Sequence, residues 1–476
     1  MTDTPEVPEG LRPANENPWY VLMTLYGEQE AEAIDWELHE KNRKLWNAWS
    51  VHGTPSGMKF EDYLREMSRA LGVSVQECDM GEWGKLINAQ HYKEERVQDR
   101  FARVWKERNG EGSLAPEIPA ASEAVDFSNT RFERLFCARK MAFSRGVTLK
   151  KSQFKKGASF ERCLFATGSN FAAGFHETAD FAASQFWSHA DFSAAEFKKG
   201  ATFSDCVFEK RVSFSGSSFR EAVSFQSTVF KGLAQFTRAT FRQLNSASVT
   251  FRDAEFCAAS SFSETYFCSV YPDFSGAVLH DKTSFTARML PTSDEIAKDN
   301  TLLGQTYWPK TTKQDPVNAR DSCATIRHVL TKQGLPEEAH FFFRREMHFA
   351  GLPSEGRSFA ERLPYILFGW FSDYGYSIQR PLWWLAGVWL AGLLTFAYLF
   401  ALPQDYPKLA KYDDWTAMGL SFSNLFPLFG FGRVFLSDVL MDLPRWAQFL
   451  SGTQTVLSLP LLFFLGLGLR QRFRLR

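Results

Sequence analysis

The chain of 476 residues has no net charge, since 54 Lys and Arg balance 54 Asp and Glu. It also lacks the short signatures of common catalysis. There is no phosphate loop, no GxSxG elbow, no HExxH pair and no pair of carboxylates placed for acid and base work. An enzyme is not expected, and neither a cofactor nor a metal is implied. The seven cysteines are odd in number and show no CxxC or finger spacing, which excludes a disulfide framework. His39, His52 and His91 have no ligand spacing either. The start, Met1 to Glu9, is acidic and proline-rich with no apolar run. It therefore does not read as a signal peptide, and the part of the chain ahead of its first long apolar run is expected in the cytosol.

What the chain has in excess is phenylalanine, 47 residues of it. Between Phe127 and Leu290 it recurs at Phe181, Phe186, Phe192, Phe197, Phe203, Phe208, Phe214, Phe219, Phe225, Phe230, Phe236 and Phe241, with gaps alternating five and six. The unit is eleven residues. On an α-helix a five-residue gap separates neighbours by about 140°, so no apolar stripe forms. On one straight strand the same odd gap would alternate faces. The chain must turn a corner between phenylalanines. Two residues before most of them stands a small residue, among them Ala158, Cys163, Ala179, Ala190, Ala201, Cys206, Val212, Ser217 and Ala234, on the same inward face. Short extended pieces joined at corners of Ser, Gly, Lys and Asp describe a stacked solenoid.

This pattern, as in Gly200-Ala-Thr-Phe-Ser-Asp-Cys-Val-Phe208, resembles the pentapeptide-repeat family in an eleven-residue variant. The resemblance implies a right-handed quadrilateral β-helix over 125–290. Two units per coil give roughly seven coils and a rod of about 35 Å. The register slips between Phe171 and Phe175, and from Phe241 to Phe251, where local bulges are expected. Some soluble members of the family mimic DNA with an acidic surface. Here residues 127–290 carry 21 basic and 14 acidic side chains, against 14 and 24 in residues 1–126, so the rod is the basic part. Lys150, Lys151, Lys155 and Lys156, with Lys198 and Lys199, are candidate contacts for an anionic ligand such as a nucleotide or single-stranded oligonucleotide.

Ahead of the rod, residues 1–16 read as disordered, 17–109 as a small α-helical domain and 110–124 as a linker. Asn17-Pro-Trp-Tyr-Val-Leu and Lys41-Asn-Arg-Lys-Leu-Trp resemble the leader of some bacterial pentapeptide-repeat membrane proteins. Behind it, a connector (291–320) precedes two cytosolic helices (321–372), with His340, Arg344 and His348 on one helix face. These three lack a carboxylate or cysteine partner and read as a solvated face.

Residues 373–476 read as a transmembrane domain. Pro381–Leu402 is uncharged and long enough for a hydrocarbon core of about 30 Å. So is Trp446–Leu469, which Arg470, Arg472, Arg474 and Arg476 follow. With Arg380 ahead of the first span, the positive-inside rule puts both termini in the cytoplasm of a bacterial inner-membrane protein with two transmembrane helices. Trp370, Tyr374 and Tyr376 suit an interfacial elbow. Between the spans, Trp415–Arg433 is apolar, too short to span and return, and broken by Pro427, Gly430 and Gly432. It reads as a re-entrant loop, with Asn424, Phe426, Pro427, Phe429, Gly430, Phe431, Gly432 and Arg433 as pore residues and Pro460 as a gating hinge.

Asp373-Tyr-Gly-Tyr-Ser-Ile-Gln-Arg-Pro381 and Leu465-Gly-Leu-Gly-Leu-Arg-Gln-Arg-Phe-Arg resemble bacterial pentapeptide-repeat proteins ending in an ion-channel-like helix pair. Gly430-Phe-Gly432 is similar to the core of potassium filters. Leu428, Phe429 and Arg433 depart from that pattern, so potassium selectivity does not follow. One copy cannot enclose a pore, so a homotetramer in the lipid bilayer is expected. Together these features give a channel gated through a cytosolic β-helix sensor, architecturally similar to phage-defence effectors that depolarise the host. The alternative is a membrane-anchored scaffold whose rod docks protein or nucleic acid.

Overall fold

The computed structural model describes residues 10–30, 33–75, 96–242, 248–287, 307–309, 316–402 and 406–474. They fall into two compact units, one ending at Phe342 and one beginning at Phe343. In the first unit, two-residue strands form four parallel sheets of eight, eight, six and six strands. This is the stacked solenoid that the phenylalanine period requires, with the four sides and about seven turns that the family resemblance implies. Each coil places its phenylalanines directly over those of the coil before. One column runs Phe132, Phe154, Phe175, Phe197, Phe219, Phe241 and Phe267, with successive centroids 4.5 to 5.0 Å apart and rings within 8° of parallel. Rings of neighbouring columns meet edge to face, as Phe192 and Phe203 do at 5.3 Å and 89°. The core is therefore stacked along the axis and T-shaped across it, the two arrangements that ring quadrupoles favour.

One corner of each unit holds a residue in the left-handed region. Lys151, Arg162, Ala183, Ala194, Asp205, Gly216, Ser227 and Arg238 occupy it, with φ between 54° and 66°. The small residue after this corner carries more than size. Ser184, Cys206, Thr228 and Thr265 donate to Phe160 O (2.6 Å), Phe181 O (2.9 Å), Phe203 O (2.7 Å) and Phe236 O (2.7 Å) of the preceding coil. Cys163 and Cys206 are buried as expected, and burial pushes both thiols well up. The slip at Phe171 is not a bulge. The left-handed residue is missing there, and Ala173 N donates to Phe171 O at 2.7 Å, a turn one residue shorter than the Ser184 N to Phe181 O turn ten residues on. Of the second slip, residues 243–247 lie outside the described residues.

Both ends of the stack are covered, because an open coil would leave a row of backbone donors and acceptors unpaired. Residues 10–16, expected to be disordered, instead supply part of the cover. Arg12–Pro13 pairs in parallel with Thr130 and Arg131 on the first coil. Helices α1 (Pro18–Met23), α2 (Trp36–Ser50), α3 (Phe60–Leu71) and α4 (Val97–Asn109) follow. Along α2, Trp46 Nε1 donates to Ala142 O (2.8 Å), Asn47 Nδ2 to Lys140 O (2.9 Å) and Ser50 Oγ to Ala142 O (2.8 Å). These are cap contacts, so the helices close the rod rather than stand apart from it. At the other end Trp308 stacks on Phe267 at 4.7 Å and donates to Thr286 O at 3.0 Å. Helix α5 (Pro316–Lys332) begins inside the expected connector, and its Lys332 pairs with Asp281 at 3.0 Å. Helix α6 (Pro336–Ala350) contributes Glu338, which accepts from Ala287 N at 2.9 Å.

The second unit opens with the end of α6 and an additional helix, α7 (Phe359–Ser372), capped by Ser358. Two helices are long and apolar enough to cross a membrane, α8 (Gln379–Phe400) and α12 (Arg445–Arg474). Only 22% of the apolar window of each is buried, unlike the core helix of a soluble protein. Between them lie α9 (Asp414–Leu425), α10 (Phe431–Phe435) and α11 (Ser437–Asp442).

Candidate functional sites

Helix α9 starts where Asp413 caps Thr416 N at 2.9 Å, and it ends at Phe426 before a turn through Pro427. It lies against both α8 and α12. One of its faces is polar, and that face is buried. Asn424 Nδ2 donates to Ser451 Oγ (2.8 Å) and Gln454 Oε1 (3.0 Å) on α12. Gln454 Nε2 donates to Ser421 Oγ (2.7 Å) on α9 and Val388 O (3.2 Å) on α8. Ser421 Oγ in turn donates to Trp389 O at 2.7 Å, and Ser458 Oγ to Asn424 O at 3.3 Å. A short helix is thus stapled to two long ones by side-chain amides and hydroxyls. Gly392 makes room for it, since a Cβ there would lie 2.4 Å from Gln454 Nε2 and 2.5 Å from Ser421 Oγ.

Of this network the sequence pointed to Asn424 alone. Gln454, Ser421, Ser451 and Ser458 stand about one turn apart inside otherwise apolar stretches, and that polar interruption is the signal that would have found them.

The loop after α9 carries the other expected pore residues. Phe426, Phe429 and Phe431 form a chain of aromatic contacts at 6.2 and 5.8 Å, with Phe429 69% exposed. Pro427 begins a single 3-10 turn, and Gly430 closes it at φ 69°. Phe431, Gly432 and Arg433 then belong to helix α10. Glycine, aromatic and glycine therefore do not form the extended, carbonyl-lined strand of a potassium filter. The side chain of Arg433 lies outside the described residues. Pro460 is inside α12, which continues as a helix past it.

The lysines expected to hold an anion separate into two groups. Lys155 and Lys198 lie on one face, both against the ring of His176, with Nζ 3.1 Å from Nε2 and 3.4 Å from Nδ1. Burial, followed by the two lysines, holds His176 below the usual histidine range. Lys156 and Lys199 border this face, and Lys199 pairs with Glu221 at 3.1 Å. Lys150 and Lys151 stand at the corner before it, Lys151 in the left-handed position. Of the helix-face trio, Arg344 is tied to Asp373 at 2.7 Å and lies over the Tyr376 ring. Burial lowers His348. Among the described residues no His, Cys, Asp and Glu group could hold a metal.

Residues 203–245 match the family model for pentapeptide repeats (9 copies), which falls on the regular part of the phenylalanine columns. No curated protein and no solved structure matches the chain.

Proposed function

We propose that this chain is an oligomeric membrane channel gated through its β-helix, with both termini in the cytoplasm of a bacterial cell. The observation that carries this reading is the staple holding α9 between α8 and α12. A twelve-residue helix between two span-length helices has its polar face turned inward against both of them. Backbone of that kind is tolerated at membrane depth only where protein or water covers it. A single chain encloses no lumen, so the pore requires symmetric copies, and four is the number the two-span plan suggests.

In this reading Phe426, Phe429 and Phe431 meet their copies near the axis and close the resting pore by excluding water, with Arg433 at the outer mouth. Pro460, which leaves the carbonyl four residues earlier without its helical N–H, supplies the bend on opening. Opening would depolarise the cell, the outcome that a phage-defence effector of this architecture needs. Exposed aromatic and aliphatic residues on α7, Phe359, Ile366 and Trp370, suit the membrane surface before the first span. A second reading, a membrane-anchored scaffold, is favoured by the helical turn of Phe431–Phe435, which offers no filter-like strand.

Single-channel recording from purified protein in a planar bilayer decides between them. The channel reading expects Phe429→Ser to leak at rest and Arg433→Glu to move the reversal potential toward cations. Silence from both variants, equal to the parent, would hand the case to the scaffold. The membrane topology has its own check. Asp414→Cys should label only from the outer side, and labelling from the cytoplasmic side alone would remove the hairpin.

A further inference from the structure

On one face of the β-helix the residue after each phenylalanine faces outward at the same height of its coil. The file opens on the acidic Glu133, and over the next five coils these residues are Lys155, His176, Lys198, Arg220 and Arg242. Their register is fixed by backbone bonds: His176 N to Phe154 O (2.9 Å), Lys198 N to Phe175 O (2.9 Å), Arg220 N to Phe197 O (2.9 Å) and Arg242 N to Phe219 O (2.8 Å). Coils stack at about 4.8 Å, so the file runs for about 19 Å. Like charges side by side on paired strands oppose the pairing.

Two carboxylates offset this in part: Glu133, itself paired with Arg131, acts on Lys155 and His176 from one end, and Glu196 from the middle. Glu196 pairs with Arg220 and lies 3.9 Å from Lys198, while Lys155 makes no ion pair among the described residues. Around His176 there are more donors than acceptors. Gln153 Oε1 is 2.6 Å from Nε2 and takes a hydrogen there, which leaves the Lys155 ammonium facing a donor. With the Gln153 amide turned over, two donors compete for one lone pair instead. Lys155 and His176 are both held below their usual ranges by burial first, and by neighbouring cations after that.

We propose that this file binds a single-stranded oligonucleotide, whose phosphates run along the rod and supply the missing acceptors. Its length exceeds the phosphate chain of one nucleotide, and its width of one side chain suits one strand. The neighbouring file, Gln153, Glu196, Ser218 and Thr240, offers polar groups beside that strand. The site gives the sensor of the channel reading its ligand. It is tested by binding alone, so either proposal can fail without the other.

The measurement is fluorescence anisotropy of a labelled single-stranded oligothymidylate with the full chain in detergent, titrated with NaCl. Contacts to about four phosphates predict a log–log salt slope of roughly −3. Lys155→Glu with Lys198→Glu should weaken binding by at least about tenfold. Lys150→Glu with Lys151→Glu, on the other corner, should not. Melting temperatures equal to the parent's verify that both variants fold. Binding should also tighten as the pH falls from about 7.5 to about 5.5, because an imidazolium among Lys155, Lys198, Glu196, Glu133 and the phosphates adds a cation, and His176→Gln should remove that tightening. The site is overturned if the parent shows no salt-dependent binding, or if Lys155→Glu with Lys198→Glu binds as the parent does. Competition by ATP as strong as by the oligonucleotide would likewise overturn the extended strand.

Discussion

The two units of this protein differ in what they bury and what they expose. In the β-helix the interior is phenylalanine, with Phe181, Phe203, Phe214 and Phe225 fully buried, and the ions stand outside. In the unit from Phe343 onward, Asn424, Gln454, Ser421 and Ser458 are buried, whereas Trp383, Phe449, Phe463 and Val456 are at least 64% exposed. On the channel reading each arrangement suits a different solvent. Water drives the phenylalanines together at about 25 cal/mol per Å² of apolar area removed. On that reading the second unit lies in lipid, which offers no such gain between helices, so packing and hydrogen bonds among small polar groups hold them. The comparison explains how one chain uses two opposite codes without conflict.

The sharpest way to break this comparison is in the rod. Phe214, stacked between Phe192 at 4.9 Å and Phe236 at 5.1 Å, has no room to be replaced. Phe214→Ala should cost about 3–5 kcal/mol, with Phe214→Leu milder. A thermal melt unchanged by Phe214→Ala would mean that the columns are not the source of stability.

A smaller effect is expected in the second unit, where the substitution runs from polar to apolar. Gln454→Leu strips the partners from Asn424 and Ser421 and should cost about 1–2 kcal/mol in detergent unfolding. Gly392→Ala, which crowds the same amide, should act in the same direction. If Gln454→Leu instead stabilises the unit, the network is decoration on an ordinary apolar core.

The smallest effect separates surface from interior within the rod. His176 has its folded pKa below the unfolded value, so the unfolded chain takes up its proton first as the pH falls. The stability this residue contributes is present above about pH 6.5 and is lost below it. His176→Gln should shrink the difference in melting temperature between about pH 7.5 and about pH 5.5. An identical difference in parent and variant would show that neither burial nor the lysines lower the ring.

Much of the fold was legible because it is local. A phenylalanine every five or six residues is compatible with one short strand and one corner, so the stacked solenoid follows from spacing, while its four sheets and about seven coils followed from the family resemblance. The two span-length helices follow in the same way from uncharged length. The disorder expected for residues 10–16 failed because Arg12 has no local pattern. What orders it is the open edge of a coil at Thr130, 118 positions away. The short corner after Phe171 was visible only as a slipped count, since a bulge and a deletion leave the same mark on a spacing.

The candidate sites divide along the same line. By itself the sequence determined the eleven-residue solenoid, its excess of positive charge, the apolar spans and the aromatic loop between them, because each is a property of neighbours along the chain. Only the tertiary structure decided that Lys155, His176 and Lys198 stand in one file while Lys150 and Lys151 turn away. It also decided that Gly430 leads into a helix, and that Asn424 meets Gln454. These pairings join residues 21 to 30 positions apart. The physical reason is that hydrogen bonds and repulsions act through space at about 3 to 5 Å. Stacking of coils and crossing of helices set those distances, and no periodicity records them.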